Sequence, residues 1–301
     1  MKIRKDRKPF ERLAATDSSL DLAEQVALLA GLPFDREAVR QESKTVQGDI
    51  FADLCRVLGL EQSQYEFHFG LYYSARIFSV DNTKGKETIG LDLTFEYWLS
   101  AMTLLASVAA FEAPKRSTWP GLIEDIDRLM SLYLDATQYV DVRERVKPYH
   151  TTYAHLLNIS EGLARAILVF CLCHEIVHHQ KEHLKQAASK TQEIEADVQA
   201  AELFLQILGA GEKAKDTTVY IDPKIACAPL VMAHLFDLLE AWIEMQGFDL
   251  SESQSGHPRA FERYQAIDPI LRPHMNETAT TIENAIKAGV ADIREDLIDR
   301  D

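Results

Sequence analysis

The segment from Ser160 to His178 constrains the fold more than any other. Leu163, Ala166, Ile167, Val169, Phe170 and Leu172 recur at helical spacing, so the pattern predicts a helix with Ser160 as its N-cap. It runs without a breaker into His174-Glu175-Ile176-Val177-His178. The chain must therefore fold around an apolar helix whose far end carries two imidazoles and a carboxylate. Residues four apart project from one helix face, about a turn apart, so His174 and His178 can bind one ion. Glu175 is not needed to hold a metal; beside His174 it can reach a water as general base. The competing reading is an exposed charged helix.

The following segment favours the metal. Ser189 to Gln192 offer a helix start, after which Glu193 and Asp197 lie four apart on one face. Glu193 can supply a third ligand to one zinc ion, leaving an open position as a catalytic site requires. Asp197 can accept the outer N–H of a ligating histidine. Glu195 is the competing ligand, though it points about 200° round the helix from Glu193. His179 and His183 turn away from the ligating face and read as solvated. Cys171 and Cys173 read as small core residues.

Downstream, Gly256-His257-Pro258 precedes another helical stretch. Pro258 at the helix start would leave His257 at its mouth, free to donate to an oxyanion. The alternative is a capping histidine.

Around this centre the pattern reads as α+β: a small antiparallel sheet followed by a mainly helical body. Strands are expected near residues 65–69, 75–80 and 88–93, with a hairpin at Asp81 to Gly85. The third strand is expected inside the core and another at the edge, where an extended substrate could pair. Residues 1–60 read as an N-terminal helical arm. Residues 61–301 read as one domain, with sheet at 61–93 and helical body at 94–301. Breaks are expected at Pro148 and at Gly209 to Gly211, and fraying after Ile293.

Composition narrows the partners. Acidic residues outnumber basic ones 47 to 32, and the net charge of -15 would repel a phosphate backbone, so nucleic acid is not expected. The basic run from Met1 to Arg12 has no apolar segment after it and reads as a solvated end rather than a secretory signal. Four cysteines without a C-x-x-C pair suggest reduced thiols and a cytoplasmic protein. The apolar segment 97–113 falls short of the ~20 residues a span needs and carries Ser100, Thr103 and Ser107. A buried helix is expected there, without stable membrane insertion.

The three elements together resemble the gluzincin metallopeptidases. Within that group the likeness is to the Lit-type phage-exclusion peptidases. It rests on Thr191-Gln192-Glu193 leading into Glu195-Ala196-Asp197, on His257-Pro258 with Ala260, Glu262 and Arg263, and on the apolar segment upstream, and covers residues 88–267. The resemblance implies a zincin-like body and a regulated cytoplasmic zinc endopeptidase that cleaves elongation factor Tu on phage detection, with a phage-derived activator. His174, His178 and Glu193 would hold the zinc and Glu175 would be the base; substrate-binding residues remain unassigned. Two other readings stand beside it: a non-enzymatic zinc module, which has no use for Glu175, and a housekeeping zinc peptidase.

Overall fold

A computed structural model describes residues 49–70, 77–81, 87–112, 119–134, 138–185, 189–211, 217–250 and 257–298. Most of the arm expected over residues 1–60 and most of the hairpin turn expected at Asp81 to Gly85 lie outside these. Residues 49–58 are helical (α1). Phe51 on α1 stacks on Phe67 and meets Tyr65 edge-on, which seats α1 against the first strand.

The three strands are β1 (Tyr65–Gly70), β2 (Ile77–Asp81) and β3 (Glu87–Asp92), in the order β1-β3-β2. An antiparallel sheet was the expectation. The sheet is instead mixed: β2 runs antiparallel to β3, whereas β1 runs parallel to it, Tyr65 opposite Glu87. Placing β3 in the middle buries Ile89 and Leu91 completely, and their two-residue spacing keeps both on one face. β3 feeds straight into a helix, where the buried Asp92 Oδ1 accepts the Thr94 N–H at 2.9 Å.

Helices form the rest of the described body: α2 (Leu93–Glu112), α3 (Trp119–Ser131), α4 (Tyr139–Thr152), α5 (Leu157–Gln180), α6 (Lys190–Ala210), α7 (Ala228–Met245), α8 (Ala260–Leu271) and α9 (Glu277–Leu297). α2 is buried along its length, with Leu99, Met102 and Leu105 nearly inaccessible. Two of its buried hydroxyls turn to backbone carbonyls: Thr103 Oγ1 lies 3.0 Å from Leu99 O and 3.1 Å from Ser160 O, and Ser107 Oγ donates to Thr103 O. Among the described residues, three helical stretches (94–112, 154–180 and 223–245) are long and apolar enough to cross a membrane, and most of each is buried within the protein. Trp98 of α2 stacks on Phe236 of α7. α9 crosses α2 at Gly289, where a Cβ would lie 2.8 Å from the backbone nitrogen of Ala110. Only glycine permits that approach.

Several expected boundaries shift. α5 begins at Leu157, so Ser160 lies inside it, its hydroxyl bonded back to Leu157 O. The break expected at Gly209 to Gly211 is where α6 ends, with Gly211 as its cap (φ 46°). α4, however, continues through Pro148, and α9 persists past Ile293 to Leu297. In these two cases packing outweighs a local break signal.

Candidate metal centre

α5 and α6 pack side by side through Phe170 and Phe204, whose rings meet edge-on at 6.3 Å. Ala196, Ala200 and Ala201 are fully buried on α6, and such small side chains let helix backbones approach. The packing brings two i,i+4 pairs together, His174 with His178 and Glu193 with Asp197. One donor atom from each of His174, His178 and Glu193 lies within 4.8 Å of the others.

The orientation of each ring is specific. His174 Nε2 and His178 Nε2 are 2.9 Å apart, and the Glu193 carboxylate spans them, Oε2 3.4 Å from His174 Nε2 and Oε1 3.5 Å from His178 Nε2. Tetrahedral zinc with bonds of about 2.0–2.1 Å needs ligand atoms about 3.3–3.4 Å apart; the two Glu193 separations fit such an ion, whereas the two imidazole nitrogens would have to move apart by about half an ångström to receive it. All three side chains are buried. Glu195, the competing ligand, instead meets Lys181 Nζ at 3.2 Å and His183 Nε2 at 3.5 Å.

Asp197 stands behind His174, its Oδ1 2.9 Å from His174 Nδ1. Arg263 of α8 then grips Asp197 with two nitrogens. Burial alone would raise the Asp197 pKa, but the Arg263 charge and the His174 hydrogen bond outweigh it and hold the carboxyl at about 2. Burial likewise disfavours protonated His174, yet the Asp197 bond and charge, with Glu193, lift its pKa to about 9. Burial opposes ionised Glu193 too; hydrogen bonds from His174, His178 and His257 keep it far below the usual carboxylate range. At neutral pH the two ionised carboxylates are therefore balanced by the Arg263 guanidinium and by a protonated His174, whose proton a metal ion would have to displace.

Glu175 follows His174 and, unlike both histidines, is partly open to solvent. His257 lies at the rim, its side chain 59% exposed and its Nδ1 3.6 Å from Glu193 Oε2. Pro258 does not start the helix: α8 begins at Ala260, and the Glu262 carboxylate accepts the Arg259 N–H at 2.7 Å. His257 thus lies three positions before the first helical residue, and Arg259, not His257, is the cap.

Two expectations are overturned. His179 and His183, read as solvated, are 3% and 7% exposed. His183 belongs to a short 3-10 turn (His183–Lys185) that folds back on α5, because Glu182 adopts a left-handed φ of 55°. Extending helical periodicity past Gln180 missed this. Arg263 also went unassigned, since nothing local to residue 263 signals a partner 66 positions earlier. The cysteines contribute no donor to the group; burial pushes the Cys171 thiol up to about 12.

Residues 141–279 match the Peptidase U49 family. The match supports a peptidase, and the three candidate ligands, Asp197, His257 and Arg263 all fall within it. Neither the curated proteins nor the solved structures contain a match for the chain.

Proposed function

We propose that the chain is a zinc-dependent endopeptidase with one zinc held by His174, His178 and Glu193. The observation that carries this reading is the convergence of both Nε2 atoms and the Glu193 carboxylate on one buried point, close enough together to share a single ion. Zinc bound there supplies Lewis acidity, polarising a peptide carbonyl and making water nucleophilic near neutral pH. Glu175, partly solvent-facing beside His174, takes the proton of the attacking water and passes it to the leaving amine. His257 donates from the rim to the oxygen that becomes negative after attack. Asp197 keeps the His174 proton on Nδ1, so that Nε2 is free to ligate.

The zinc-module alternative would be favoured by a fourth protein ligand. Among the described residues the donor group has three members, and His183 meets His178 on Nδ1, away from the centre. Among the described residues β2 pairs with β3 alone and packs against α5, so an extended substrate could add beside β2.

The finer reading, a cytoplasmic phage-exclusion protease acting on elongation factor Tu under a phage-derived activator, is supported only by the resemblance of the motifs. A proteomic search for new termini tests both levels, comparing cells that express wild type with cells that express Glu175→Gln. Termini present only with wild type, together with zinc retained in both purified proteins, are the expected result. Identical termini in both would overturn the peptidase mechanism, and cleavage confined to other proteins would overturn elongation factor Tu as the target.

A further inference from the structure

Each candidate zinc histidine has a second ring nitrogen, and the two are served differently. His174 Nδ1 meets the Asp197 carboxylate directly. His178 Nδ1 meets a second imidazole, His183 Nδ1, at 3.1 Å, the rings 5.1 Å apart and nearly perpendicular. On its far side His183 Nε2 lies 3.5 Å from Glu195 Oε2, a long polar contact at the outer edge of hydrogen-bond reach. Glu195 is itself anchored by Lys181.

The protons in this row have one consistent arrangement. Since His178 Nε2 faces His174 and Glu193, a His178 that ligates through Nε2 carries its proton on Nδ1. That proton has His183 Nδ1 as its acceptor, so His183 must be protonated on Nε2, and this N–H points to Glu195. His178, His183 and Glu195 then form a one-way row of donors and acceptors that ends on a carboxylate. The backbone is bent to build it: Glu182 is the only non-glycine among the described residues at positive φ, and its turn carries His183 back against α5.

We propose that His183 is a positioning residue for His178, fixing its tautomer and ring orientation through Glu195, so that the second zinc ligand has a relayed carboxylate where the first has a direct one. Glu195 thereby has an outer role in the site rather than a place on the metal. The inference rests on the zinc centre proposed above.

Zinc affinity of the purified full chain, measured by competition with a chromophoric chelator, tests it. His183→Ala should weaken binding by about 10- to 100-fold. His183→Gln, whose amide can accept from His178 and donate to Glu195, should restore most of that loss, which a merely space-filling role would not require. Equal affinity in wild type and His183→Ala would overturn the inference and leave the zinc centre standing. Absence of zinc binding by wild type would overturn both. If the alanine variant fails to fold, nitrogen-15 spectra of zinc-loaded wild type decide: His183 protonated on Nε2 is expected, and protonation on Nδ1 would refute the relay.

Discussion

Arg263 holds Asp197 in a two-nitrogen clamp, Nε to Oδ2 at 2.7 Å and a terminal nitrogen to Oδ1 at 2.6 Å, while that same Oδ1 receives His174 Nδ1. Asp197 is 1% exposed, so its charge depends on these partners. One residue of α8 thereby ties that helix to α5 and α6, which carry the candidate ligands. Planar bidentate pairing of this kind suits arginine better than lysine.

Removing the clamp leaves a buried carboxylate with only His174 beside it. Arg263→Ala is expected to destabilise the fold by about 3 kcal/mol, read from urea unfolding, and Arg263→Lys by less. Zinc affinity should fall in the same order. An alanine variant as stable as wild type would show that water replaces the guanidinium at no cost.

His257 meets Glu193 from the solvent side, and the charge proposed for it to stabilise arises only after attack on the carbonyl. His257→Ala should lower kcat by roughly 100-fold with KM little changed, measured on any cleaved substrate. A loss confined to KM would make His257 a binding residue.

Gly289 is the contact point of α9 on α2. Its missing Cβ would fall 2.8 Å from Ala110 N and 2.9 Å from Ala110 Cα, so Gly289→Ala must push the two helices apart. A cost of about 1–3 kcal/mol is expected, seen as a lowered Tm with zinc content unchanged. An unchanged Tm would mean the helices separate freely.

Glu283 of α9, 1% exposed, accepts from Tyr264, Arg272 and His234 and joins α7, α8 and α9 away from the metal centre. Burial raises its pKa, but the His234 and Arg272 hydrogen bonds and the Arg272 charge outweigh that and hold it at about 2, against an ordinary 4.5. A folded pKa below the unfolded one stabilises above the unfolded value, and the gain disappears as pH falls from 4.5 towards 2. Glu283→Gln should therefore be less stable than wild type at pH 7 and show a shallower loss across that acid window. Parallel stability curves would remove Glu283 from the acid response.

The sequence by itself determined the local half of the metal centre. His174 with His178, and Glu193 with Asp197, are pairs set four apart, and helical geometry alone places each on one face. The Ser189 cap was equally local: its hydroxyl accepts the Gln192 N–H three residues on. Only the tertiary structure decided what stands behind those ligands. Arg263 reaches Asp197 across 66 positions, and His183 reaches His178 because the chain reverses at Glu182 where periodicity predicted a continuing face. The sheet divides in the same way. Alternation marked the strands, but the order β1-β3-β2, in which the first strand pairs parallel with the third, is a pairing between separate elements. Backbone spacing within one helix or strand follows from covalent geometry, whereas partners from separate elements meet only when burial of the shared core brings those elements together.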